Sequence, residues 1–359
     1  MNGVLDLPST HDEAWRWSDL SGLPALAGAR PGGRAPTGEL WIGCGGPRLL
    51  FIDGAYRPEE SDPGPVTVGP AEAGAGDHPL GRLAGHQGWR LQLARDRGPA
   101  ATIEIVHVAT GGPAHVAAEI VMDEDAQASL VETFAGEGWH NVARKITLGR
   151  AARLGIARRV LGGGFASLTD TASLAAGASL DIATLAAGSG DSRLDTRLTL
   201  EGGGAYGEAG GALLARGAQR HDANAVLRHA AAGGTSRQLW RSVADDRATC
   251  AVAARVEVAR DAQKTDAEQS LKGLLLARTA TINAKPELEI FADDVKCAHG
   301  ATVGELDRNA LFYLASRGVP PVEAKALLTR AFVADALARI GDEAVRAAFL
   351  ADAEAWLGA

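Results

Sequence analysis

From about Trp89 to Thr302 the chain is a succession of short strand-like runs with no helical stretch between them. That limits the folds open to it more than any other feature. "ATIEIVHVA", "HVAAEIVMD", "ASLVETFAG", "RLDTRLTLEG", "AVAARVEVA" and "ATINAKPELEIFA" include several with period-two alternation, the pattern of a strand with one buried face. Gly, Asp or Asn break most of them, at irregular spacings and with no strict repeated motif. Consecutive strands without crossover helices suit a sandwich, a barrel or a parallel β-solenoid. The chain has 45 glycines and only 5% aromatic residues. Small residues favour the solenoid, whose stacked coils bring backbones close, but composition does not choose among the three.

The flanks read differently. Residues 1–61 combine a short helix-like stretch, "DEAWRWSDL", a Pro/Gly-rich loop, "ARPGGRAPTGE", and a strand-turn-strand signal in "RLLFIDGAYRPEES", with Asp53-Gly54 at the turn. The body then runs over 62–302, opening with a Gly/Pro/Ala-rich segment, 62–88, read as loose surface chain. From 303 to 359 the texture is helical. Asp307 can cap a helix through "RNALFYLAS" that Gly318 stops, and Pro320-Pro321 opens "VEAKALLTRAFVADALARI". Gly341 ends that helix, and Asp342 caps "EAVRAAFLADAEAWL". In the middle helix Ala324, Leu327, Leu328, Ala331, Phe332 and Ala338 form a mostly apolar stripe that must bury against the β body or a partner. Asp335 falls inside it and calls for a polar partner.

A formal net charge of -8 argues against nucleic acid or an anionic membrane as the main partner. Cysteines at 44, 250 and 297 only are too few and scattered for a disulfide framework and fit a reducing compartment. "MNGVLDLPSTHDEAW" has no basic n-region or apolar h-region, and no window approaches a membrane span. The expected location is the cytoplasm.

Most motif matches fail on context. "GGGAYG", Gly202 to Gly207, fits the dinucleotide fingerprint, but the following "EAGGALLARGAQRHD" is too glycine-broken for the required helix. It reads as tight turns. No phosphate-binding loop, zinc-protease helix or nucleophile elbow occurs. The histidines at 11, 78, 86, 107, 115, 140, 221 and 229 are dispersed, and Cys44 and Cys250 read as small buried hydrophobes. Asp293-Asp294 reads as a turn or strand end. Cys297 and His299 differ. In an extended "VKCAHGATV" they point to one face, and a thiolate with an imidazole is half a metal site. Packing is the competing reading.

The run from Ala262 to Leu328, containing "LKGLLLARTATINAKPELEIFADDVKCAHGATVGELDRNALFYLASRGVPP", resembles the C-terminal signature of the SufB/SufD family of iron-sulfur cluster assembly proteins. "SRQLWRSVADDRATCAVAARVEVA", with Ser236, Arg237 and Gln238, resembles its core, and "LPSTHDEAWRWSDL" and "LLFIDGAYRPEES" match more weakly. Between about 62 and 220 the likeness is one of texture. SufB-type chains carry a cysteine near the position of Leu271 and a glutamate where Gly300 stands; the cysteine two residues before His299 is the SufD pattern. The helical segment that normally precedes the Trp15 motif is missing.

The resemblance implies a right-handed parallel β-helix with a C-terminal helical domain and a short N-terminal region. It implies a non-catalytic scaffold subunit working with a SufB-like paralogue and the SufC-like ATPase that supplies the absent phosphate-binding loop. On that reading Cys297 and His299 lie at the SufB interface as ligands to iron or a transient iron-sulfur cluster. The helical domain, with Ala324, Leu327, Leu328, Ala331 and Phe332, docks the ATPase, and ATP-driven motion there could open or tighten the SufB contact. Relatives are associated with reduced flavin, to which no residue here can be assigned, and homodimerisation is left open. The alternatives are a brace that shapes SufB without ligating, and a β-helix carbohydrate-active enzyme, which would predict a secretion signal and an aromatic-lined cleft.

Overall fold

The computed structural model describes residues 5–33 and 40–358. Its first strands, β1 (Arg48–Ile52) and β2 (Ala55–Tyr56), form the expected antiparallel hairpin. Asp53 and Gly54 both take positive φ, 51° and 77°, as a two-residue turn of this hand requires. β3 (Val66–Pro70) and β4 (Gln87–Leu93) pair antiparallel, and β5 (Ile103–Met122) and β6 (Gln127–Leu148) are long strands that each span two walls. The remaining strands are β7 (Arg153–Val160), β8 (Phe165–Leu174), β9 (Ser179–Ala186), β10 (Asp191–Leu200), β11 (Tyr206–Ala215) and β12 (Arg220–His229). After them come β13 (Thr235–Ala244), β14 (Thr249–Val258), β15 (Asp266–Leu275), β16 (Thr281–Ile290) and β17 (Lys296–Gly304).

Each of these strands pairs in parallel with the next but one. β7, β9, β11, β13, β15 and β17 make one wall, and β8, β10, β12, β14 and β16 the other. This is a parallel β-solenoid of about seven turns, so the sandwich and the barrel are excluded. The coil repeat was invisible in the sequence because it is written in backbone conformation. One corner of successive coils takes positive φ at Asp125, Ala151, Gly177, Gly204 and Gly233, between 57° and 71°, with three residue types doing one job. At another corner Gly138 is mandatory. Its φ is 134°, and a Cβ there would stand 2.5 Å from the Gly112 carbonyl oxygen of the coil before.

The lumen is filled mainly by Leu, Ile, Val and Ala, with charges at one place. Glu132, Arg144, Arg158 and Asp170 share the inward parity of buried apolar neighbours such as Leu130, Val142, Ile156 and Leu168, and all are 2% exposed or less. Arg144 pairs with Glu132 and, at 2.5 Å, with Asp170 Oδ1, while Arg158 Nη2 holds Asp170 Oδ2 at 2.7 Å. Further along, Gln238 Nε2 donates to Arg255 O at 2.9 Å and Gln269 Nε2 to Ala254 O at 2.8 Å, tying one wall to the other.

Two covers pack on the outside. In the N-terminal segment, α1 (Leu23–Gly28) packs on β5 and β6, while the stretch before it lies over β10 and β12, where Arg193 binds Asp195 and Asp222 and stacks 4.3 Å from the Trp15 ring. Segment 62–88, read from the sequence as loose, is in part packed. Leu80 is fully buried with Trp139, and Ala71, Ala73 and Ala84 pack on Ala117 and Ala143. Alanine buries well against alanine where backbones are close, which composition alone presents as a loop.

At the other end α2 (Arg308–Ser316), α3 (Pro321–Leu337) and α4 (Glu343–Gly358) follow most of the expected punctuation, although α3 stops at Leu337, short of Gly341. Asp307 Oδ1 accepts from Asn309 N, Gly318 has φ 86°, and Asp342 Oδ1 accepts from Ala344 N and Val345 N. Of the expected α3 stripe Ala324 is buried and Phe332 packs in part, but most of the packing face lies elsewhere. Thr329, Val333, Ala336 and Leu337 are buried, about half a turn round from Leu327 and Ala331, which are exposed. Asp335 does find its polar partner, in Arg241 of β13, at 2.8 and 2.5 Å. Among the described residues no helix is long and apolar enough to cross a membrane.

The Arg241–Asp335 pair adds a polar contact to the apolar packing of Val333, Ala336 and Leu337 that holds α3 on the wall. Arg241 is buried but also donates to Trp240 O and Ser270 O, and Asp335 is half exposed. Asp335→Ala is therefore expected to cost only ~1 kcal/mol after solvent screening. Hydrogen exchange should speed up in α3 and α4 and stay unchanged in β7 to β15.

Candidate functional site

Among the described residues the last coil differs from the others in having no further strand stacked on it. β16 and β17 each pair on one side only among the described residues. In β17 every residue except Cys297 is exposed. Apolar side chains that a further coil would cover stay in solvent, with Ile290 38%, Phe291 66% and Val303 41% exposed.

Cys297 and His299 sit on this edge. Cys297 lies in register with Ala267 and His299 with Gln269 of β15, both buried and inward. The period-two rule therefore turns both side chains toward the lumen at its uncovered end. Cys297 is half buried beside Val256, Val258, Ala262 and Ala267, whereas His299 is exposed. Burial raises the Cys297 thiol above its ordinary pKa, opposed by a hydrogen bond from Ala267 and reinforced by the Asp266 charge. An isolated thiol there stays protonated; a metal ion arriving at the edge would displace that proton. Cβ atoms built at Gly300 and Gly304 meet nothing within 4 Å, so the ground next to His299 is open.

The other sequence candidates separate clearly. Cys250 is fully buried, as read, while Cys44 is only half buried. The Cys44 amide, with those of Ile42 and Gly43, donates to the Glu104 carboxylate, and burial pushes its thiol up to about 12. Neither is a ligand candidate. Asp293 and Asp294 stand in the turn before β17, where Asp294 pairs with Lys264. His107, His140, His221 and His229 are buried structural residues. Ala324 is buried, Leu328 and Phe332 half buried, and Leu327 and Ala331 exposed. Phe312 (75%) and Val322 (82%) add to the apolar surface of α2 and α3, and sequence reading singled out neither. Among the described residues no three His, Cys, Asp or Glu side chains group to hold a metal.

Residues 106–332 match the family profile described as SUF system FeS cluster assembly, SufBD core domain. The chain belongs to the SufBD family. Its relatives include the iron-sulfur cluster assembly protein SufD of Escherichia coli, 38% identical over 130 residues, 36% of this chain and 31% of that protein. A SufBD family protein of Synechocystis is 42% identical over 107 residues, 30% of this chain and 24% of that one. SufD of Bacillus subtilis is 32% identical over 147 residues, 41% of this chain and 34% of the relative. The matched stretches thus span about a third or less of these relatives' length. The SufD names among them agree with the cysteine and histidine pattern of the last coil.

Proposed function

We propose that this SufBD-family chain is a SufD-type scaffold subunit for iron-sulfur cluster assembly. It pairs through its uncovered last coil with a SufB-like paralogue and works with a SufC-like ATPase docked on the helical end. The observation that carries the reading is that Cys297 and His299 face the same way on an edge strand that lacks a cover. Soft thiolate and borderline imidazole suit iron. Two donors on one chain make half a site, completed by donors across the interface. A cluster held in that way is built when the subunits close and released when they part, whereas four ligands on one chain would retain it.

The test is anaerobic co-expression with SufB-like and SufC-like partners, followed by iron and acid-labile sulfide analysis of the purified complex, for wild type and Cys297→Ala. The complex is expected to assemble in both and to lose most of its iron and sulfide in the variant. Unchanged cluster content in an intact complex would leave Cys297 as packing and the chain as a brace for its paralogue.

A further inference from the structure

The wall formed by β7, β9 and β11 does not meet the α3–α4 turn closely. Between them lies a cavity of about 770 Å3, within the range of small-molecule sites. Its floor is an outward-facing column running across the strands, Ser129, Gly155, Asp181 and Glu208, in direct register. Glycine keeps the floor low. A Cβ at Gly155 would have only Ser129 Oγ within 4 Å, at 3.9 Å, so the space above it is unfilled by choice of residue. Ala157, Ala183, Leu239 and Ile340 provide apolar walls.

The two carboxylates on this floor are not equally satisfied. Glu208 is 4% exposed, accepts from the Tyr206 hydroxyl and lies 3.4 Å from Arg339 Nε. Asp181 beside it accepts no hydrogen bond from any described residue. Burial first, and the Glu208 charge second, push the Asp181 carboxyl up to about 6, with Arg339 acting the other way. The remaining charged neighbours do not relieve it. Asp342, on the α3–α4 turn, is engaged by Thr102 and the α4 amides, and Arg153 is exposed on β7. The cavity is thus lined by three carboxylates, Asp181, Glu208 and Asp342, against two guanidiniums, Arg153 and Arg339, and Asp181 is the carboxylate left without a hydrogen bond among the described residues, a state that a positive ligand relieves.

We propose that this cavity binds a small organic cation, a primary amine on an apolar body, with the ammonium between the Asp181 and Glu208 carboxylates and the body against Ala157, Ala183, Leu239 and Ile340. Among the described residues no three His, Cys, Asp or Glu side chains group here closely enough to hold a metal. An anion would face three carboxylates against two guanidiniums, so the balance of charge favours a cation. The proposal stands apart from the cluster reading, since nothing in it involves β17.

Isothermal titration of the full chain with phenethylamine, and with the neutral 2-phenylethanol as control, tests it. The amine should bind at neutral pH and the alcohol should not. Asp181→Asn, which keeps the shape, should weaken the amine about tenfold or more. Gly155→Val, which fills the floor in a strand-compatible way, should abolish binding while leaving the far-UV spectrum unchanged. Affinity should also fall as the pH drops below about 6, where a proton on Asp181 takes the ligand's place. No amine binding, equal binding of the alcohol, or undiminished binding in either variant would overturn the proposal.

Discussion

Replacing Arg144 by methionine is expected to destabilise the chain by ~3–5 kcal/mol, the cost of breaking a buried ion pair from one side. Among the described residues Arg144 is the only group that pairs with both Glu132 and Asp170. Without it, two carboxylates are left in the lumen facing Arg158, which pairs with Asp170 alone, and His107, 3.4 Å from Glu132. In denaturant the midpoint should fall with little change in slope, because the same surface is exposed on unfolding. Adding Glu132→Gln to Arg144→Met should recover part of the loss, which a simple packing defect would not do. The acid limb gives an independent check. Burial alone would raise the Glu132 carboxyl, but Arg144 above all, with His107 and Arg158, holds it down at about 2. Its folded value is thus depressed below the ordinary value near ~4.3. The stabilisation it gives is present above that ordinary value and is lost as pH falls from there through about 2. Glu132→Gln should flatten the stability profile in that window; an unchanged profile would mean the pair is not coupled to folding.

What was legible in the sequence was local. Asp307, Gly318, Pro321 and Asp342 each act within one turn of their own position, and all four punctuate helices as read. Cys297 and His299 share a face because strand alternation needs only two residues to state it. The coil repeat escaped because Asp125, Ala151 and Gly177 share a conformation and no side chain. The lumen charges escaped for another reason. Arg144 does keep parity with Val142 and Ile146, but a buried arginine makes sense only beside Glu132 and Asp170, which other stretches of chain deliver. In α3 apolar residues occur on both sides. Periodicity found Leu327 and Ala331, while tertiary packing buried Val333 and Leu337 on the other side, where α4 brings Phe349 and Trp356 into the same cluster.

On the proposed reading, pairing with a SufB-like paralogue is expected to fall at least tenfold, the equivalent of ~1.4 kcal/mol or more, when Phe291 and Val303 are both replaced by aspartate. A solenoid whose final coil is apolar needs a cover, because an unprotected strand edge invites association. Here Ile290, Phe291 and Val303 stand out in solvent on the same last coil as Cys297 and His299. An aromatic side chain exposed in the free subunit and buried in the complex is the type of contact that carries binding energy, and a charge in its place must be desolvated without a partner. Both positions are exposed in the single chain, so each substitution should change its own stability by no more than ~0.5 kcal/mol. Co-purification with the paralogue reads the effect, and the melting curve of the lone variant separates docking from folding. A variant that melts like wild type but no longer retains its paralogue places the interface at the last coil, where Cys297 and His299 can be completed by ligands from across it. A variant that retains its paralogue undiminished moves the interface elsewhere and removes the reason for treating those two residues as half of a shared site.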